Sequence, residues 1–162
     1  MLRKMTALPQ VRRGQPADIP DVLALLQSTD LPTSDLSANA GLRTWVIESD
    51  DFLCGVIALE PFGTEGLLRS LAVASDCRNR GIGRALVAQL ETDARAQGVR
   101  KLVLLTQTAE TFFRSLGYQN IDRRYVSDEM RQCAEFRSLC PASASCMAKT
   151  LVNLADAERA NA

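Results

Sequence analysis

Apolar residues first recur along this chain with a helical period. Ile19, Val22, Leu23 and Leu26 stand at i, i+3, i+4 and i+7, which predicts an amphipathic helix over 19–26. Asp18 occupies the N-cap position and Pro20 suits the first turn. Gln10–Arg13 reads as a short strand before it, and Thr33–Asn39 as a loop with one helical turn. The pattern then turns strand-like. Trp45–Ile47 and Phe52–Leu59 flank the turn-rich Glu48–Asp51, which predicts an antiparallel hairpin, and Leu67–Val73 predicts a further strand. Ile82, Ala85, Leu86 and Leu90 line one face of a second helix, with Gly98 at its C′ position. Lys101–Leu105 is a continuous apolar run suited to a strand buried on both faces. Ala109–Leu116 reads as a short helix closed by Gly117, and Tyr118–Ile121 as a strand. Ser127 caps a helix that turns Met130, Cys133 and Phe136 inward; Cys140-Pro141 breaks it, and Ala144–Leu151 forms a last strand. From Asn153 onward the chain reads as a frayed tail. The expectation is one mixed α/β domain over residues 1–152.

Composition narrows what such a domain does. Nineteen basic and nineteen acidic side chains cancel among 162 residues, which argues against a general nucleic-acid binder. No run of apolar residues is long enough to span a membrane. The chain has no histidine, so Ser-His-Asp and Cys-His nucleophile systems and histidine-bearing zinc sites are excluded. Cys54, Cys77, Cys133, Cys140 and Cys146 form an odd set without a CxxC pair and without a preceding secretory signal, which reads as buried thiols in a reducing cytoplasm. Cys133, Cys140 and Cys146 are too loosely spaced for a compact metal clip, and no metal is expected.

The chemistry concentrates in Leu71–Leu86. A strand leads through a turn into Arg78-Asn79-Arg80-Gly81-Ile82-Gly83-Arg84 and then a helix. Glycines let backbone N–H groups converge, the helix start adds partial positive charge, and three arginines add formal charge. This is an anion site suited to a phosphate or pyrophosphate. A P-loop lacks its Gly-Lys-Ser/Thr here, and Leu86 stands where a dinucleotide fingerprint needs its third glycine.

Arg-x-x-Gly-x-Gly after a Leu-x-Val strand resembles the acyl-CoA loop of the GNAT superfamily of N-acyltransferases. Ala109-Glu110-Thr111-Phe112-Phe113-Arg114-Ser115-Leu116-Gly117-Tyr118 resembles that family's Ala-x-x-Phe-Tyr-x-x-x-Gly-Phe/Tyr helix. The resemblance covers roughly Val11 to Ile121. It implies a central, mostly antiparallel mixed sheet of about six or seven strands flanked by about four or five helices. It also implies acetyl-CoA as co-substrate, held by the backbone of Leu71, Ala72 and Val73 and by Arg78–Arg84, with Thr106, Phe112 and Phe113 nearby. Leu68–Val73, Thr106–Glu110 and Glu135–Ala144 further resemble a branch found in bacterial arsenic-resistance operons, whose relatives acetylate amino-acid-like arsenicals or phosphinates.

Acetyl transfer to an amine needs a held thioester, donors for the oxyanion and a route for protons. The tyrosine usual in the family's Phe-Tyr pair is Phe113 here, so Tyr118, Tyr125 or water must supply a proton, or the thiolate leaves unassisted. Glu60 and Glu65 are the candidate bases, beside the reading that both are exposed loop carboxylates. Arg69 is a cation in an otherwise apolar strand: it either clamps an acid group of the acceptor or points to solvent. Ser70 binds substrate or fills space. The leading expectation is direct acetylation of a small primary amine by a monomer or homodimer. The alternatives are a non-catalytic acyl-CoA-binding module, which Phe113 favours, and a protein-directed acetyltransferase.

Overall fold

The computed structural model describes residues 10–36 and 41–152, so the tail from Asn153 lies outside the described residues. Among these, seven strands form one sheet: β1 (Val11–Arg13), β2 (Arg43–Ser49), β3 (Phe52–Phe62), β4 (Glu65–Val73), β5 (Lys101–Thr106), β6 (Gln119–Asn120) and β7 (Ser145–Thr150). Their order is β1-β2-β3-β4-β5-β7-β6, antiparallel throughout except for the parallel pair β4–β5. Four α-helices accompany them: α1 (Ile19–Ser28), α2 (Ile82–Ala96), α3 (Glu110–Ser115) and α4 (Asp128–Arg131). The expected mixed α/β class and hairpin are both present. No described helix is long and apolar enough to cross a membrane.

Strand residues alternate between two faces, and the core divides accordingly. Trp45, Ile47, Leu68, Leu102, Leu104 and Met147 join the large cluster under α2, with Ile82, Leu86 and Leu90. The intervening residues face the other way. Val46 packs with Val22, Leu25 and Leu26 of α1, whereas Leu67, Val103 and Cys146 pack with Met130 of α4. Both faces of the central strands are covered, which is why their sequences read as unbroken apolar runs.

Three local readings are corrected and one is refined. The buried face of α1 is Val22, Leu25 and Leu26, while Ile19 is exposed, because the helix rests on the sheet through its second and third turns. Asp18 stands at the N-cap of α1 as expected, but its side chain makes no capping bond to the helix. It ends a 3-10 turn at Pro16–Asp18, and its carboxylate accepts from Arg12 and from the Gln15 N–H, which lowers its pKa. The strand expected over 118–121 shrinks to Gln119–Asn120, because Tyr118 turns into the core. Ser127 does cap a helix, accepting from the Met130 N–H at 3.3 Å, but α4 stops at Arg131 and a π-helical turn at Glu135–Leu139 follows.

On the α2 side a buried charge cluster ties the layers together. Lys149 of β7 donates to both Glu91 oxygens, at 2.8 and 3.1 Å, and to the Leu116 carbonyl at 2.9 Å. The Tyr118 hydroxyl donates to Glu91 at 3.2 Å.

The seating of α2 on β3 depends on Gly55. A Cβ there would lie 2.9 Å from Leu86 Cδ1, 3.0 Å from Ile82 Cγ2 and 3.3 Å from the Ala72 carbonyl oxygen. Gly55→Val should therefore overpack the interface and destabilise the fold by about 1–3 kcal/mol. Urea unfolding is expected to show a lower midpoint at unchanged slope. An unchanged midpoint would mean that α2 does not approach β3 this closely.

Candidate active site

The site begins with one extra residue in β4. Val56 pairs with Ala72 and Ala58 with Arg69, so β4 takes three steps where β3 takes two. Ser70 is the bulged residue, at φ +57°. The bulge inverts the alternation: before it, Leu67 and Arg69 share the α4 face, and after it, Leu71 and Val73 pack on the α2 side while Ala72 joins the α1 cluster.

The same strand leaves its other neighbour. β4 pairs with β5 only over Glu65↔Lys101, Gly66↔Leu102 and Leu67↔Val103. Beyond Leu67 the two strands diverge, since β5 continues with β7 and β4 with β3. A cavity of about 420 Å³ occupies the wedge, bounded by Leu68–Leu71 of β4, Leu104–Thr106 of β5 and the following Gln107–Ala109, the loop Thr29–Pro32, Phe113 and Glu135. One edge of β4 therefore has no strand partner where it faces the cavity, and its N–H groups can meet a polarised carbonyl.

The same end of β4 leads into the basic loop. After Val73 a 3-10 turn at Ser75–Cys77 carries the chain to Asn79 and Gly81, both with positive φ (63° and 77°), and Gly81 is the N-cap of α2. No side chain caps this helix, and its first backward bond runs from the Ala85 N–H to the Gly81 carbonyl at 3.0 Å. The N–H groups of Ile82, Gly83 and Arg84 thus have no helical acceptor and face outward beside Arg78, Arg80 and Arg84. Arg84 also donates to Ser115 Oγ at 3.2 Å, which links the start of α2 to α3. A Cβ on Gly83 would lie 3.3 Å from Phe112 Cζ, so glycine lets the aromatic ring approach the helix start. Phe112 packs edge-on against Phe113, with ring centroids 5.1 Å apart, and Phe113 lines the cavity. Thr106 lines the cavity as well, while its hydroxyl accepts from the Ala109 N–H at 2.9 Å.

Arg69 does not point to solvent; it is 3 % exposed. Its fork is bidentate to Asp35, at 2.5 and 2.7 Å, its Nε donates to Ser70 Oγ at 3.3 Å, and Glu60 and Glu135 lie at 3.7 and 3.5 Å. Neither expected carboxylate base lies on the cavity wall. Glu60 is buried beside Arg69. Glu65 sits at the opposite end of β4, where it accepts from the Ser127 N–H at 3.2 Å and pairs with Lys101. Tyr118 is corrected as a proton donor: it is fully buried, its hydroxyl is committed to Glu91, and burial first, then Glu91, hold its pKa far above the ordinary value. Sequence reasoning missed Asp35, the partner of Arg69, and, on the cavity wall, Glu135. Glu135 lies in a π-helical turn, where no helical or strand period flags an inward carboxylate, and its only sequence signal is an acid between Cys133 and Phe136.

The cysteines are not nucleophiles by environment. Cys54 and Cys77 are buried with sulfurs 2.8 Å apart, and burial, then the neighbouring thiol, pushes Cys54 up to about 12.

Replacing Gly83 by valine should drive Phe112 off the helix start and cover the free amides. CoA affinity measured by calorimetry is expected to fall by about tenfold or more, the loss of a charge-assisted hydrogen bond. Unchanged affinity in folded Gly83→Val would place the pyrophosphate elsewhere.

Residues 40–120 match the model of the acetyltransferase (GNAT) domain. An uncharacterized N-acetyltransferase of Chlorobaculum tepidum is 37% identical over 89 residues, 52% of this chain and 54% of that one. An amino-acid acetyltransferase of Edwardsiella ictaluri is 29% identical over 126 residues, 73% of this chain and 29% of that one. The chain thus spans about half or less of the length of these relatives. Among solved structures, N-acetylglutamate synthase from Neisseria gonorrhoeae, complexed with coenzyme A and N-acetyl-glutamate, superposes with a TM-score of 0.78 at 22% identity, covering 90% of this chain and 36% of that one. Rv2747 of Mycobacterium tuberculosis, solved in complex with CoA, gives 0.73 at 27% identity, covering 89% of this chain and 100% of that one. With the splayed β4–β5 pair, the bulge and the glycine-arginine loop at a helix start, these matches make the chain a member of the GNAT acetyltransferase family.

Proposed function

We propose that the protein transfers an acetyl group directly from acetyl-CoA to the primary amine of a small acceptor. The observation that carries this reading is the continuity of the site. β4 runs from the cavity wall at Leu68–Leu71 into the loop at the uncapped start of α2, and Phe112, packed on Gly83, touches Phe113 of the cavity wall, so a pyrophosphate on the loop and a thioester beside Leu71 would belong to one extended ligand. The free N–H groups of that edge would receive the oxyanion. Leu68, Leu104 and Phe113 give the wedge an apolar wall that keeps water from the thioester. The departing thiolate, with a pKa of about 8.5, needs little help from an acid. The unjoined thiols suit a reducing cytoplasm as the place of action.

For the acceptor, the amino-acid acetyltransferases among the relatives support an amino-acid-like molecule, which includes the arsenical and phosphinate amino acids of the arsenic-operon resemblance. Its acid group would bind Arg69, the cavity-wall cation, by displacing Asp35. A second reading is favoured by the three carboxylates around Arg69, which leave the cluster net negative when ionised. On that reading the acceptor is a cationic amine without an acid group.

The test is release of CoA thiol from acetyl-CoA against amines with and without acid groups. Asp35→Asn weakens the internal competitor, so KM should fall several-fold for acid-bearing acceptors and stay unchanged for simple amines. A KM unmoved for both would remove the Arg69 clamp. Arg69→Ala is the poorer probe, because it strands buried carboxylates at a cost of about 3–5 kcal/mol.

Direct transfer also predicts that the enzyme mixed with acetyl-CoA alone gains no acetyl group on intact-mass analysis. A competent acetyl-cysteine adduct would overturn that mechanism.

A further inference from the structure

The cavity wall carries a carboxylate with an unusual set of partners. Glu135 is 5 % exposed, yet no described residue donates it a hydrogen bond. Its one ion contact is Arg69 Nε at 3.5 Å, and that nitrogen donates to Ser70 Oγ while the rest of the guanidinium is engaged by Asp35. A buried carboxylate ordinarily gathers donors. Glu91, buried to the same degree on the other face of the sheet, receives Lys149 and Tyr118. Glu60 shares the want of a donor, with Arg69 at 3.7 Å, but it does not line the cavity. Glu135 instead lines the cavity that the unpaired stretch of β4 also lines.

We propose that Glu135 is the catalytic base: its carboxylate takes the proton from the acceptor's ammonium in the wedge between β4 and β5. The inference rests on the acetyltransferase reading above. An ammonium in the wedge supplies the donor that Glu135 lacks. The steps balance. The ammonium gives one proton to the carboxylate and becomes a free amine. The nitrogen lone pair forms the bond to the thioester carbonyl carbon, and the carbonyl π pair moves to oxygen, where the β4 amides meet it. Collapse of that intermediate breaks the C–S bond, and the second nitrogen-bound proton goes to the departing sulfur. The products are an amide and CoA thiol, and Glu135 returns its proton to solvent.

The surroundings suit a base that works near neutrality. Burial, opposed by Arg69 and reinforced by Asp35 and Glu60, pushes the Glu135 carboxyl up to about 7. Asp35 arrives from the loop after α1, Glu60 from β3 and Arg69 from β4; Cys133 and Cys140 flank Glu135 on its own segment. Burial holds Cys140 up at about 11 and raises Cys133 as well, so neither thiol titrates in the same range. Asp30, the other carboxylate on the cavity wall, is exposed.

The experiment is the pH profile of kcat/KM for the best amine of the thiol-release panel, in the wild type, Glu135→Gln and Glu135→Asp. The wild type should gain activity with rising pH through an enzyme pKa near 7, since the base works only when ionised. Glu135→Gln should lose that limb and fall about 100-fold or more at neutral pH, with CoA affinity unchanged. Glu135→Asp should keep the limb at a lower plateau, because its carboxylate is one methylene short. A merely structural role would lower activity equally at all pH values. A Glu135→Gln enzyme that retains the limb, or the rate, overturns the proposal alone. A wild type that binds CoA and acetylates no amine overturns the acetyltransferase reading and this inference with it.

Discussion

Everything distinctive in this molecule follows from a single surplus residue between Arg69 and Ala72. Had β4 kept step with β3, Leu71 and Val73 would face α1 and α4, and Ala72 would face α2. The bulge reverses that order, bends the strand away from β5 and leaves one edge of it unpaired. A serine at φ +57° is an uncomfortable way to make the turn, of order 1–2 kcal/mol. The surrounding core holds it there: Leu68 on one side and Ala72 on the other are both buried in well-packed clusters. The strain is thus opposed by the sheet as a whole.

A second constraint is the pair of buried charge clusters on opposite faces of the sheet. Around Glu91 the donors match the acceptors: Lys149 and Tyr118 cover the carboxylate, and Lys149 also reaches the Leu116 carbonyl. That cluster fastens α2 to β7 and to the turn after α3. Around Arg69 the balance is different, because one guanidinium faces three carboxylates from three separate segments. Such an arrangement is a poor fastener and a good receptor for positive charge, since Glu60 and Glu135 meet Arg69 only at 3.7 and 3.5 Å and no described residue donates either a hydrogen bond. The two clusters are chemically alike and differ in how fully donors cover their carboxylates.

The order of elements was legible because it rests on local pattern. The hairpin, the α2 face and the continuous apolar run of β5 all encode burial in their own residues. The basic loop was legible too, since glycines, arginines and a helix start coincide within seven positions. What escaped was set by distance along the chain. Glu65 and Glu60 lie near Arg69 in sequence, yet Glu65 ends up at the far end of β4 beside Ser127. Asp35 and Glu135, 34 positions before and 66 positions after Arg69, meet it in space. The wrong helical face of α1 has a similar cause: Ile19 fits the period, but the sheet touches the helix only from Val22 onward. Periodicity tells which residues can be buried together and not which partner covers them.

Phe113 ties the loop to the chemistry. Its ring lies edge-on to Phe112 and to Tyr118, at centroid distances of 5.1 and 5.5 Å, and forms part of the cavity wall. A hydroxyl on that ring could donate to a departing thiolate, but it would also bring a polar group to the dry end of the wedge. Thiolate departure is the easier half of the reaction, whereas removing a proton from an ammonium is the harder half at neutral pH. On the proposed reading the harder half falls to Glu135, whose burial raises its carboxyl toward the pH at which a base would act. With a phenyl ring at position 113 and no proton to give there, the proposed reaction leans on its base and on the leaving group's own acidity.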